Sequence, residues 1–453
     1  MKFRLTEQTV LFFSVLKWFV VATIVGTVTG FVSSVFLKLL DLGTDLFFQN
    51  HYLFLLLPVG LFVNAIIGHV LVPSADAHTT DRVIDAIHDT RRLGIISPLK
   101  AFVLPLITIT VGGSAGKEAP CADMGAGIGS LLADIFRFDK EDRKKIMICG
   151  VSAGFASVFG VPISGAIFGV EVLFVGSMLY DVLLPSFIAG ITGYQVSRAL
   201  GITYFYHPLN FVPVFSESFL VIVVFAGIFF GLCSGLLITV LKWGERFANK
   251  LKWWLPLKGF VGGVILIALA FILSNQFLGL GLRTIESSLE GEKVVWYAFL
   301  AKIVTTSLTL NFGGSGGIVT PIFFIGSTAG ALFAQLFDLN VATFAAIGLV
   351  SVLAGAANTP IAASIMSVEL FGPQIAPYAV VACIISFLVT GHRSVFPSQV
   401  LAIAKSSSIQ VEIGKEIEDL VPLYQRREIG VVQWYLAALR VLKRMKWKKN
   451  PEE

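Results

Sequence analysis

The sequence predicts an all-α polytopic membrane protein built from two related halves. Three observations predict it. Hydrophobic residues make up 55% of the 453 residues and charged residues 14%, whereas soluble globular chains carry about 25% charged residues. Apolar runs long enough to cross a bilayer recur along the chain. A Gly-rich loop at Gly112–Pro120 returns in closely related form at Gly313–Pro321.

The composition comes first because it excludes most function classes. Mean hydropathy is +0.82, so a water-soluble fold of this size would lack polar surface. Soluble core helices are the alternative reading, but they leave so many long apolar runs unexplained. The 43 glycines and 39 phenylalanines suit close helix packing and a lipid-facing exterior. Cys121, Cys149, Cys233 and Cys383 are far apart in apolar settings. They read as buried small hydrophobes and not as a metal or redox group. No cofactor or metal is expected.

A crossing helix needs about 20 apolar residues. Candidate spans are Val10–Leu40, Tyr52–Val72, Phe219–Leu241, Phe260–Leu280 and Tyr378–Thr390. Other apolar segments, such as Ala101–Val111 and Val341–Ala356, are too short to cross as straight helices and are interrupted by Gly and Pro. Short, broken segments in matching positions of two halves point to a transporter binding site. The first run contains Lys17 and no small-residue cleavage site, so it reads as a retained helix. The net charge of +5 gathers at the ends, with six basic residues in Arg440–Lys449. By the positive-inside rule this tail, and with it Lys2 and Arg4, is expected on the cytoplasmic side of the cell membrane. The tail reads as solvated or in contact with lipid headgroups, and no nucleic-acid partner is expected.

The duplication extends beyond the loops. GGSAGKEAP aligns with GGSGGIVTP at an offset of 201, and GSLLADIF at Gly129–Phe136 follows without a gap against GALFAQLF at Gly330–Phe337. VPISGAIFGVE at Val161–Glu171 then meets TPIAASIMSVE at Thr359–Glu369 at an offset of 198. The expected division is a first transmembrane repeat at 1–200, a second at 201–405 and a short basic tail at 406–453. Sequence alone leaves open whether the repeats are parallel or inverted.

Each loop precedes a pattern with small residues every four positions, so each opens a helix. The first turn of a helix has unpaired N–H groups and a positive partial charge. Glycines let that backbone approach a ligand closely. Two such ends meeting at mid-bilayer hold an anion without a full positive charge, which permits release as well as binding. The plainer reading is that the glycines only allow helices to pack. Lys117–Glu118 sharpens the choice, because a charge at membrane depth is costly and usually functional. Ionised, Glu118 occupies the positive helix end as a tethered anion; protonated or displaced, it opens the path. The alternative role for Glu118 is a helix cap, and Lys117 either neutralises the region or faces water.

These residues resemble a known family. GKEAP at Gly116–Pro120 is similar to the G-(K/R)-E-G-P signature of the CLC chloride channels and proton/chloride antiporters. GGIVTP at Gly316–Pro321 resembles that family's G-G-x-F-x-P loop, and Ser152–Glu171 its Ala/Gly-rich stretch before an inner acidic position. The resemblance runs from about residue 60 to 405. It implies inverted repeats, tilted and broken helices, and a homodimer with one pore per subunit. It implies that Glu118 is the external gating glutamate, and that chloride or another small anion is bound around Gly116, Lys117, Ala119, Gly317, Ile318 and Val319, with amides at Ile318 and Val319 as ligands. Protons are an implied second substrate.

The departures from the pattern bear on selectivity and coupling. Pro73–Asp81 stands where G-S-G-I-P is usual, and His78 replaces a serine that touches the central anion. A histidine donates from a ring nitrogen but is bulkier and titrates. Val319 replaces a phenylalanine, and Phe396 replaces the pore tyrosine. Val172 stands at the antiporters' inner proton glutamate, immediately after Glu171. Glu171 either substitutes for it or is structural, as its repetition at Glu369 suggests.

Competing readings are limited. Gly112–Gly116 fits G-x-S-x-G and names Ser114 as a hydrolase nucleophile, but Gly313–Gly317 fits as well. A single nucleophile has no need of duplication, and a histidine base is required. A P-loop fails because Val111 replaces its first glycine and Glu118 its Ser or Thr. What the sequence supports is transport of a small anion, chloride first, with fluoride or nitrate as alternatives, by a channel or a proton-coupled antiporter and not by an enzyme.

Overall fold

The computed structural model describes residues 2–50, 52–71, 79–204, 206–208, 217–407, 409–420 and 423–424. His78 and the basic run at 440–449 lie outside the described residues. The described chain forms sixteen α-helices in two sets of eight. The first set is α1 (Lys2–Gln49), α2 (Leu57–Leu71), α3 (Thr79–His88), α4 (Ile96–Thr110), α5 (Glu118–Ile135), α6 (Lys140–Phe159), α7 (Pro162–Glu171) and α8 (Tyr180–Ala199). The second is α9 (Glu217–Lys250), α10 (Leu255–Ile272), α11 (Leu282–Leu289), α12 (Ala298–Asn311), α13 (Val319–Leu336), α14 (Val341–Ala357), α15 (Pro360–Phe371) and α16 (Ala376–Thr390). Two-residue strands complete it: β1 (Phe174–Val175) pairs in parallel with β2 (Val400–Leu401), and β3 (Ile409–Gln410) pairs antiparallel with β4 (Leu423–Tyr424).

The two sets pack in the same pattern. Helix α5 lies on α6 as α13 lies on α14, α6 on α8 as α14 on α16, and α1 on α8 as α9 on α16. Between the sets, equivalent helices meet each other: α2 on α10, α7 on α15, and α5 against α13. Local sequence repeats the same punctuation. The Asp139 side chain accepts from the Asp142 N–H to cap α6, and Asn340 does the same for α14 with Thr343. Both helices end on a left-handed residue, Gly160 and Asn358, followed by Pro162 and Pro360 at the next helix start. Helix α14 has 17 residues where α6 has 20. That difference of just under one turn is why the sequence offset falls from 201 to 198.

Six helices are long and apolar enough to cross a membrane among the described residues, the first being Glu7–Phe47. Phe12, Phe31, Phe225 and Phe271 on α1, α9 and α10 are exposed, as lipid-facing side chains are. Helix α13 also passes on length, but 83% of its apolar window is buried inside the protein. The span expected at Phe260–Leu280 starts earlier, at Leu255, and stops at Ile272. Ser274, Asn275 and Gln276 then turn the chain, and Leu278 and Leu280 pack inward. At the centre the helices approach backbone to backbone. A Cβ built at Gly125 falls on the carbonyl of Gly150, and one at Gly326 falls on that of Gly348.

Candidate anion site

The two Gly-rich loops meet. The Gly116 N–H donates to the Gly317 carbonyl at 2.7 Å, and the Gly317 N–H donates to Gly116 at 2.8 Å. Equivalent residues thus pair with each other, which is a local two-fold relation. The same symmetry recurs one step out. The Ser114 N–H donates to Thr309 Oγ1 at 3.0 Å, and the Ser315 N–H to Thr108 Oγ1 at 3.0 Å. Each loop turns through a glycine of positive φ, Gly112 at +96° and Gly313 at +92°, a conformation that other residues rarely adopt. The pairing brings the first turns of α5 and α13 to one point.

Glu118 occupies that point. Its Oε1 accepts from the Val319 N–H at 2.6 Å, and its Oε2 accepts from the Thr320 hydroxyl at 2.5 Å. The residue is 1% exposed. The carboxylate therefore caps the helix of the other half. A Cβ at Gly116 or at Gly317 would strike this carboxylate, so both positions exclude side chains for its sake. The N–H groups of Gly116 and Gly317 are bonded to each other's loop. They shape the cradle, and the amides expected as anion ligands are those further along, at Ile318 and Val319.

The remaining predicted residues fall into place around it. Ala119, Gly317 and Ile318 line one cavity together with Ser394 and Phe396. Lys117 is half-buried at the start of α5, within electrostatic reach of Asp41 on α1. The Phe396 N–H donates to Ser394 Oγ at 2.9 Å, and Ser394 donates to Gln399 Oε1 at 2.6 Å. Gln399 Nε2 in turn donates to the Val172 carbonyl at 2.8 Å. One buried network thus ties the Phe396 segment to the inner position. At its outer end Lys405 donates to Asn358 Oδ1 at 2.6 Å, and burial pushes this ammonium down to about 7. Asp81, in the first turn of α3, holds the N–H and hydroxyl of Ser398 at 2.8 and 2.7 Å. Thr320, Gln399 and the Asp81–Ser398 pair were not singled out by sequence. Thr320 had one available signal, a hydroxyl beside the proposed amide ligand Val319.

Glu171 and Glu369 make reciprocal caps across the two-fold. Glu171 accepts from the N–H groups of Ile361 and Ala362 at 3.0 and 2.7 Å, at the start of α15. Glu369 accepts from Ile163 and Ser164 at 3.0 and 2.8 Å, at the start of α7. This gives both acids the same structural work. Replacing Glu171 by Ala removes two charge-assisted bonds from a buried helix start, a loss of about 1.5–3 kcal/mol for bonds of this kind. Thermal unfolding in detergent should fall by several degrees, and unchanged stability would contradict this structural role. Ser114, the hydrolase candidate, shares its hydroxyl with Thr306 at 2.9 Å and Thr305 at 3.3 Å. These partners are not bases, and they hold the loop.

Two helix starts converging on one buried carboxylate, inside a mostly apolar helical shell, define a membrane protein that handles small anions. Comparisons with known proteins agree. The family described as "Voltage gated chloride channel" matches residues 59–391, so the chain belongs to the CLC family and is a transporter or channel of anions. It is 38% identical over 410 residues to a "Chloride/fluoride channel protein" of Pseudomonas syringae pv. tomato, covering 88% of this chain and 89% of that one. It is 26% identical over 331 residues to a voltage-gated ClC-type chloride channel of Shigella flexneri, covering 70% and 78%. Among solved structures, a CLC-type fluoride/proton antiporter superposes with a TM-score of 0.79 at 27% identity, over 86% of this chain and 99% of that one. A slow cyanobacterial Cl⁻/H⁺ antiporter superposes at 0.69 with 18% identity, over 82% and 94%, which speaks to the fold.

Proposed function

We propose that this chain moves fluoride and chloride across the cell membrane, with Glu118 as the gate. The observation that carries the reading is the Glu118 carboxylate seated on the α13 helix start, on the Val319 N–H and the Thr320 hydroxyl. A tethered carboxylate there occupies the place a free anion needs. When Glu118 swings away, the anion takes over those donors together with the Ile318 amide, and Phe396 closes the other side. Fluoride is the stronger acceptor of the two halides, and an amide beside a hydroxyl suits it. The relatives named for fluoride and chloride point the same way.

A carboxylate leaving this site has to be neutralised at membrane depth. We therefore assign the proton to Glu118 and favour exchange of anion for proton. Passive conduction is the second reading, favoured by Val172, which puts no acid at the inner position. The two repeats are 1–200 and 201–405, inverted with respect to each other, followed by the tail from 406. The tail and both termini lie in the cytoplasm, as the basic residues suggest. Two copies associate through the apolar outer faces of α7, α8, α15 and α16, where Ile163, Leu184, Ile361 and Ile384 are exposed.

The test is flux from vesicles loaded with fluoride, chloride or nitrate, with a pH-sensitive dye inside. Halide efflux accompanied by proton uptake supports exchange. Halide efflux without protons supports the passive reading. Retention of all three anions would sink the proposal as a whole.

A further inference from the structure

Helix α12 carries a charge that this site does not use. Lys302 is fully buried. Its ammonium donates to the carbonyls of Gly279 at 2.7 Å and Phe277 at 3.3 Å, and it stands 5.1 Å from the centre of the Phe324 ring. These partners are dipoles and a ring, not a carboxylate. A buried ammonium is expensive without a counter-charge, and at membrane depth a charge marks a functional position by default.

The surroundings of Lys302 connect it to both solvent and site. A cavity between the α1–α2 connection and residues 275–295 is lined by Asn50, Gln276, Gly281, Arg283, Glu292 and Lys293. A Cβ built at Gly281 would meet the Phe324 ring and lie 3.4 Å from the Lys302 Nζ. A residue without a side chain thus separates the cavity from the ammonium. On its other side, Lys302 shares one face of α12 with Thr305, Thr306 and Thr309, all buried. Thr305 donates to the Phe277 carbonyl at 3.1 Å, Thr306 meets the Ser114 hydroxyl, and Thr309 accepts from the Ser114 N–H. The Gly279 N–H donates to the Gly112 carbonyl at 2.8 Å. A polar stripe therefore runs from the cavity wall to the first Gly-rich loop.

We infer that Lys302, in its protonated form, draws anions from this cavity toward the paired loops, and that the cavity is one mouth of the anion path. The inference rests on the anion-transport reading. Lys302 is not itself a ligand, because its N–H groups are bonded to carbonyls. It acts by raising the local potential in a low-dielectric wall. From Lys302 to Thr309 the helix rises about 10 Å. A unit charge at that range, at an effective dielectric constant of about 20, changes local anion occupancy on the order of tenfold.

Halide flux from vesicles, measured against anion concentration, tests this. Lys302→Met should raise the half-saturating fluoride and chloride concentrations about tenfold with maximal flux kept within about twofold, and Lys302→Arg should restore the wild-type value. A Lys302→Met protein with lowered maximal flux and unchanged half-saturation would overturn the inference and leave Lys302 a carbonyl clamp. If the buried variants fail to fold, the double variant Arg283→Gln, Lys293→Gln changes exposed cavity residues only. It should raise half-saturation several-fold at low ionic strength, and the effect should vanish at high salt. No change there overturns the cavity as a mouth. A wild-type protein that moves no halide removes the transport reading itself, and this inference falls with it.

Discussion

Glu118→Gln should leave a protein that moves anions, no longer responds to pH and carries no protons. The reason lies in the two bonds that hold the carboxylate on the α13 start, from the Val319 N–H and the Thr320 hydroxyl. Ionised Glu118 competes with the free anion for these donors. Protonation weakens that hold, so wild-type flux should rise as the pH falls. Glutamine has the shape of the protonated acid and no charge to compete with at any pH. The variant should therefore show, at every pH, a flux close to the acid-side wild-type level. Proton uptake should fall to the level of empty vesicles. Flux recorded between about pH 5 and 8 with a fluoride electrode, alongside the internal dye, measures both. Wild-type pH dependence retained in Glu118→Gln would remove this residue from the gate.

The second large effect concerns the scaffold that brings the loops together. Gly150→Val should prevent accumulation of folded protein, and so should its counterpart Gly348→Val. A Cβ at Gly150 falls on the Gly125 carbonyl, and one at Gly348 falls on that of Gly326. Overpacking against mobile side chains costs about 1–3 kcal/mol. Here the obstacle is backbone in the middle of a helix, which cannot turn aside, so the cost should exceed about 3 kcal/mol. Loss of the monodisperse peak in detergent gel filtration is the expected result. Gly94→Ala is the control, because nothing lies within 4 Å of a Cβ there. A Gly150→Val protein that elutes and melts like the wild type would contradict the packing described.

Much of the architecture was legible because it is written twice. The paired loops recur at an offset of 201 and the Val161–Glu171 block at 198, and chance rarely repeats two such blocks in order. The errors have a common cause. Phe260–Leu280 read as one span because apolar composition does not distinguish lipid contact from burial in protein; the polar step at Ser274–Gln276 was the overlooked signal. The destination of the Glu118 carboxylate was also hidden. A residue at a helix start reads as a cap for that helix, and the pairing of Gly116 with Gly317 is what brings the start of the other one within its reach. Lys302 escaped notice because one lysine in AFLAKIVTT resembles an interfacial residue until the helix is placed. Gln399 and Ser398 were missed because the partners that give them a role, Val172 and Asp81, are distant in sequence.

The reciprocal caps also set an order of assembly. The start of α7 is completed by Glu369, a residue made about two hundred positions later. While the second set of helices is still being made, the Ile163 and Ser164 amides lack this acceptor. The first set should therefore stay partly open until Glu171 and Glu369 are exchanged between the halves. A chain cut anywhere before Glu369 should be a substrate for quality control and not a half-sized pore.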